Sequence, residues 1–166
     1  HKGFINVYSK PEIDGTKFEV FFPVYKISET NKQPEPVVDN KNKSKGVMVV
    51  DDFQLTINMI RNHLSDDYMF FESSSGKDAV KKFRQEHENI DLVIIDCIMA
   101  DVNGIEVYRR MKLIEPDLPV IFISGFTKHD VEKQVGERIT DVFLSKPIHK
   151  DVLTEAVEKL IQESND

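Results

Sequence analysis

Between residues 46 and 161 short apolar runs alternate with amphipathic stretches five times over, and this alternation limits the fold more than any other feature of the chain. GVMVVD (46–51), YMFFES (68–73), DLVIID (91–96), PVIFIS (119–124) and DVFLS (141–145) read as strands. The intervening segments have helical spacing. Ile57, Ile60 and Leu64 share one face, GKDAVKKFRQEH (76–87) and GIEVYRRMKLI (104–114) follow, and a polar helix is expected over 130–138. In the last helix Leu153, Ala156, Val157, Leu160 and Ile161 fall at i, i+3, i+4, i+7 and i+8, a single apolar stripe. Runs that lack period-2 alternation belong to strands covered on both faces. The expected architecture is therefore an α/β, doubly wound, five-stranded parallel sheet with right-handed crossovers. In such sheets ligands sit beyond the carboxyl ends of the strands.

The rest of the chain has a different character. Residues 26–46, KISETNKQPEPVVDNKNKSKG, carry five lysines, two prolines and almost no apolar pattern, which suits a solvated linker. Before it, FINVYS (4–9) and FEVFFPVY (18–25) are β-rich runs joined by the turn-prone KPEIDGT, a hairpin. The organisation expected is a hairpin unit over 1–25, a linker over 26–45 and the α/β domain over 46–164. A lone hairpin is marginal in water, so this one is expected to belong to something larger or to dock on the second domain.

Net charge and composition exclude several function classes. A formal charge of -7 opposes a non-specific grip on phosphate backbones or anionic lipid, so no direct nucleic-acid partner is expected. No apolar stretch approaches the roughly 20 residues needed to cross a bilayer, and no basic-then-apolar leader opens the sequence; no membrane contact and a cytoplasmic module are expected. The single Cys97 cannot form an internal disulfide and is expected to be a small, half-buried neighbour of Asp96. His1, His63, His87, His129 and His149 lack zinc-site spacing and are given no metal role.

The chemistry gathers at the strand ends. The first strand of the α/β domain ends in Asp51 and Asp52, the third in Asp96, the fourth in Ser124, and the fifth runs into Lys146 and Pro147. Clustered carboxylates repel, and an oxygen-only site of this kind suits Mg2+ better than zinc. One carboxylate can then attack phosphorus while the lysine and hydroxyl offset the remaining negative charge, which makes Asp96 the expected phosphate acceptor. Each residue taken singly also has a plain structural role: Asp52 as a helix cap, Asp96 as a turn residue, Lys146 as a solvated charge, Ser124 as a strand-end hydroxyl. Gly76-Lys77 does not make a phosphate loop, because that motif needs glycine where Phe71 stands and Ser or Thr where Asp78 stands.

Asp51-Asp52, Asp96, Ser124 and Lys146-Pro147, with Met99, the Asn103-Gly104 turn, Gly125 and Phe143, resemble the two-component response-regulator receiver domain, a flavodoxin-like (βα)5 fold, over about residues 45–164. The resemblance implies that Asp96 takes a phosphoryl group from a phosphohistidine. It implies Mg2+ held by Asp52, Asp96 and the backbone carbonyl of Ile98, with Asp51 reaching it through water, and Ser124 and Lys146 on the phosphoryl oxygens. Ser124 and Phe143 would form the switch, the hydroxyl drawn to phosphate and the ring turning into the vacated space. The pattern GFINVYS...DGTKFEVFFP resembles the final strands of a histidine-kinase ATP-binding domain. The two together are similar to the C-terminal portion of a hybrid sensor histidine kinase whose parent chain is membrane-anchored. The kinase family's nucleotide-binding boxes and phosphoaccepting histidine are absent; His87-Glu88 resembles the latter's motif but lies at a helix end. Productive ATP binding by this chain alone is not expected.

The implied partners are a histidine kinase core, in the same chain or another, and a histidine phosphotransfer protein. Two departures stand out. Ala100 replaces the proline usual in the family, so the loop is expected to be less stiff. Ile98 and Phe126 are apolar where a polar group could orient a hydrolytic water, so a long-lived acyl phosphate is expected. Two other function classes remain: a receiver-like interaction domain that is not phosphorylated, and an Mg2+ phosphatase with an Asp nucleophile. The latter needs an acid/base aspartate where Ile98 stands.

Overall fold

Strands that must be shielded on both faces need helices on two sides, and the computed structural model of the chain supplies them; it describes residues 4–9, 15–22, 44–64, 68–136 and 138–164. The chain divides into two units, residues 1–39 and 40–166. In the first, β1 (Phe4–Ser9) and β2 (Thr16–Phe21) pair antiparallel with Phe4 opposite Phe21 and Ser9 opposite Thr16. The register puts Ile5, Val7, Phe18 and Val20 on one face, all more than half exposed. On the other face Phe4 stacks on Phe21 and Lys17 pairs with Glu19. Residues 10–14 of the turn and 26–43 of the linker lie outside the described residues.

The second unit runs β3 (Gly46–Val50), α1 (Gln54–His63), β4 (Met69–Ser73), α2 (Gly76–Glu86), β5 (Leu92–Asp96), α3 (Gly104–Lys112), β6 (Val120–Ser124), α4 (Lys128–Val135), β7 (Val142–Ser145) and α5 (Lys150–Glu163), with a short 3-10 turn at His87–Asn89. Its sheet has the order β4-β3-β5-β6-β7, and every pairing is parallel. Every residue of β3, β5 and β6 is buried. Alternate residues divide between two cores. Met48, Val50, Val93, Ile95, Val120 and Phe122 pack with Phe83 of α2, Ile105 and Met111 of α3 and Val131 of α4. Val47, Val49, Leu92, Ile94, Ile121 and Ile123 pack with Ile57 and Ile60 of α1 and Leu153, Val157 and Ile161 of α5. Each such side chain contributes about 1.5–3 kcal/mol by leaving water. Among the described residues no helix is long and apolar enough to cross a membrane.

The strand order creates the place for a site. The chain crosses from β4 back over β3 to reach β5, so the loops after β3 and β5 leave their neighbouring strands in opposite directions and open a crevice at the carboxyl edge. Two expectations need correction. The polar helix lies at Lys128–Val135, not 130–138, because Thr127 Oγ1 accepts from Asp130 N–H at 3.2 Å to start it. Gly136, at φ 75°, ends it with its N–H on the Glu132 carbonyl. Cys97 is wholly buried rather than half-buried, since its N–H still pairs with Ile123 O and carries it into the core.

Candidate functional site

Each strand end contributes one part of the site. Asp51 follows β3, and its N–H continues the sheet by donating to Ser73 O at 3.2 Å. Its carboxylate is fully buried: Oδ1 accepts from Phe53 N–H at 2.8 Å and Oδ2 from Lys146 Nζ at 2.8 Å. Asp96, 6% exposed at the end of β5, accepts from Lys146 Nζ at 2.7 Å through Oδ2 and from Ile98 N–H at 3.2 Å through Oδ1. Lys146 follows β7 and is pinned by its own N–H on Ser124 O at 2.7 Å. One ammonium therefore bridges two carboxylates from different strands.

Asp52 is exposed and plays no part in capping α1, whose N-cap position is taken by Phe53 with no side-chain bond. Its Oδ2 instead accepts the Ala100 N–H at 2.8 Å. Asp51, Asp52 and Asp96 each offer an oxygen within 4.8 Å of the others. With Lys146, three carboxylates and one ammonium leave a formal charge of -2, which a divalent cation offsets. All-oxygen donors at this spacing fit Mg2+. The Ile98 peptide lies beside Asp96 by its N–H contact, and its side chain is partly exposed.

The electrostatics follow from burial and from the lysine. Burial pushes the Asp96 carboxyl above its ordinary value, against the hydrogen bond from Lys146, the Ile98 N–H and the lysine charge; the Asp51 charge adds to the rise. Burial alone would lower Lys146, but its bonds to Asp51 and Asp96 win and raise it, so it remains an ammonium. Burial also pushes the Cys97 thiol up to about 12, which leaves it inert beside the Asp96 charge.

Ser124 ends β6 one residue beyond the register partner of Asp96 and is fully buried. Its Oγ accepts from Phe126 N–H at 3.1 Å, which leaves its own O–H free to donate elsewhere. Phe143 of β7 is half-buried against the α2–α3–α4 core, opposite Phe122, on which Tyr108 packs edge-on at 5.1 Å. Phe126 is 56% exposed. Asn103 caps α3 through Oδ1 on Ile105 N–H at 2.8 Å. A Cβ on Gly104 would stand 2.0 Å from the Asp96 carbonyl oxygen. Gly76 serves packing: a Cβ there would meet Val107 Cγ2 at 2.8 Å and Val102 Cβ at 3.1 Å.

The sequence expectations for Asp51, Asp52, Asp96 and Lys146 thus meet in one cluster, with Ser124 on the adjoining strand end and Phe143 farther along β7. Sequence reasoning missed the Ala100 N–H on Asp52 and the Phe53 N–H on Asp51. Backbone donors carry no residue signature. The only available signal was the alanine itself, standing where a proline could not donate.

The family model for the response regulator receiver domain matches residues 47–158. Sensor kinase CckA of Brucella abortus is 23% identical over 173 residues, an alignment that takes in 98% of this chain but only 18% of CckA. The polar-differentiation response regulator DivK of Brucella ovis is 26% identical over 121 residues, 71% of this chain and 97% of DivK. The crystal structure of the Thermotoga maritima response regulator protein TrrA in complex with Mg2+-BeF superposes with a TM-score of 0.61 at 27% identity, covering 70% of this chain and 98% of TrrA. The chain therefore spans less than a fifth of the sensor kinase and matches nearly the whole length of the two regulators.

Proposed function

The chain belongs to the response regulator receiver domain family, and from that premise we propose that Asp96 accepts a phosphoryl group from a phosphohistidine in a phosphorelay. The observation that carries this reading is the Lys146 ammonium held between Asp51 and Asp96 beside the third carboxylate, Asp52. Asp51, Asp52, Asp96 and the Ile98 carbonyl are the groups that would hold Mg2+. When bound, the ion neutralises charge shared by the acceptor and the phosphoryl oxygens.

An Asp96 carboxylate oxygen attacks phosphorus in line; the P–O bond forms as the P–N bond breaks, and the imidazole of the donor leaves with the electron pair. Lys146, already 2.7 Å from Oδ2, moves its donors to a phosphoryl oxygen without crossing the site. Ser124 donates its O–H to another, and the half-buried Phe143 turns inward, shifting an equilibrium between two surface shapes. An Asp-nucleophile phosphatase fits less well, because the residue two beyond the acceptor is Ile98, with no acid or base to offer.

The donor is a histidine kinase core, in the same chain or another, and the onward recipient a histidine phosphotransfer protein. The alignment with CckA extends over the hairpin as well as the receiver, which supports a hybrid sensor kinase as the parent chain. In this reading residues 1–25 are the closing strands of an ATP-binding domain, residues 26–45 the linker and residues 46–164 the receiver. The exposed face of Ile5, Val7, Phe18 and Val20 supports it, as a two-stranded piece of a larger layered domain would leave such a face open. The compartment that suits this role is the cytoplasm, with a parent kinase anchored in the membrane.

Intact mass after incubation with Mg2+ and a small phosphodonor, or with a histidine-phosphorylated donor protein, tests the reading. One phosphoryl group is expected on the chain and none on its Asp96→Asn variant. No adduct from either donor, with Mg2+ bound and the fold intact, would overturn it and leave a receiver-like interaction domain.

A further inference from the structure

Among the three carboxylates, Asp52 is held differently. Asp51 and Asp96 share the lysine, whereas Asp52 is exposed and, among the described residues, makes its hydrogen bond to one backbone group, the Ala100 N–H at 2.8 Å. That donor exists only because residue 100 is not proline. The bond fixes Oδ2, so an otherwise mobile exposed carboxylate has a set orientation while still offering an oxygen within 4.8 Å of those of Asp51 and Asp96.

The donor is itself held. The loop from β5 to α3 is tied at its start by Cys97 N–H on Ile123 O at 2.9 Å and closed by Gly104 N–H on Cys97 O at 3.0 Å. Midway, the Asp101 carboxylate accepts from Ser75 Oγ at 2.8 Å, Gly76 N–H at 3.1 Å and Lys77 N–H at 3.3 Å, which fastens the loop to the first turn of α2. The lack of a side chain on Gly76 lets Val102 approach that turn. Partial desolvation works to raise the Asp101 carboxyl, yet these donors together with Val102 N–H hold it down at about 2, so the clamp stays charged.

We propose that the Ala100 peptide N–H is a positioning group for Asp52 in the cation site, and that the Asp101 clamp on α2 keeps that N–H in place. The inference rests on the reading of Asp52 as an Mg2+ ligand. It replaces stiffness from a proline ring with a hydrogen bond that a proline could not make. A hydrogen-bonded outer partner orients a ligand before the ion arrives, and removing such a partner commonly costs 10–100-fold in metal affinity. For an exposed carboxylate the lower end, about tenfold, is expected.

Isothermal titration of the full chain with Mg2+ alone tests this. Ala100→Pro should bind about tenfold more weakly, while Ala100→Gly, which keeps the donor, should stay within about twofold of the unaltered chain. A merely structural role for the loop gives the opposite sign, since a proline stiffens it and should leave affinity equal or tighter. Asp101→Ala keeps the Ala100 donor but frees the loop, and should weaken Mg2+ with circular dichroism unchanged; it carries the test where Ala100→Pro does not fold. Tight Mg2+ binding by the unaltered chain together with undiminished affinity in the folded variants overturns this inference alone. An unaltered chain that binds no Mg2+ overturns the metal-site reading and this inference with it.

Discussion

Replacing Gly104 with alanine should injure the receiver unit more than any other single added methyl near the site. The Cβ would lie 2.0 Å from the Asp96 carbonyl oxygen, 2.9 Å from its carbon and 2.8 Å from Ile95 Cγ2. Ordinary contact begins at 3.4 Å, so 3.4 minus 2.0 leaves 1.4 Å to be found. The nearest obstructing atom, the Asp96 carbonyl oxygen, is backbone of β5, a buried strand paired on both sides, and cannot give. The loop and α3 must retreat instead, at the expense of the Gly104–Cys97 bond and the seat of Ile105 and Met111 in the core. Overpacking of this kind costs about 1–3 kcal/mol. With a urea slope of about 2 kcal/mol/M, the middle of that range should lower the unfolding midpoint by about 1 M. The retreating loop carries the Ile98 peptide beside Asp96 and the Ala100 N–H on Asp52, and misplacing these by about an ångström should also slow phosphoryl acceptance on the order of 10²-fold. Gly125→Ala is the internal control, because nothing lies within 4 Å of its added Cβ. Urea titration and adduct formation by intact mass would be read for both variants. If Gly104→Ala behaves like Gly125→Ala in stability and acceptance, the steric reasoning is wrong.

Three further outcomes are expected. Lys146→Met leaves the buried Asp51 and Asp96 without a counter-charge; because Lys146 is 28% exposed, the loss should be about 2 kcal/mol rather than the 3–5 typical of deeply buried pairs. Saturating Mg2+ should recover part of it, and a deficit indifferent to Mg2+ in urea titrations would contradict the assigned electrostatics. Asp101 titrates at about 2 in the fold against an ordinary 3.8, so its stabilising contribution is complete above the ordinary value and disappears as pH falls through the lower one. The stability lead over Asp101→Asn should therefore shrink steadily below about pH 4, and a lead that stays constant down to pH 2 would refute the clamp's charge. Joint replacement Ile98→Asn and Phe126→Gln should shorten the life of the acyl phosphate by about tenfold or more, followed as decay of the adduct mass; an unchanged lifetime would remove the screening role given to these apolar side chains.

Much of the molecule follows from local pattern. Continuous apolar runs such as VMVV and LVII, short and rich in Val and Ile, read as strands shielded on both faces, and the 3.6-residue stripe of Leu153, Val157 and Ile161 lies against one of those faces. Strand-end aspartates, hydroxyl and lysine then fall at one edge because all five strands run the same way. The ends of α4 were legible too, in Thr127 and Gly136, but the apolar pattern there is too sparse to draw attention to them. What required the tertiary structure is whatever depends on which backbone passes near which side chain. Lys146 lies 95 residues from Asp51 and 50 from Asp96, and only the packing of β7 beside β6 shows that its single ammonium spans both. Asp52 reads as a helix cap by position, yet across 48 residues it takes the N–H of Ala100. Asp101 carries no mark in the sequence, yet it holds the start of α2. Side-chain periodicity is a property of the chain itself, whereas a donor's place in space is set by the loop that carries it.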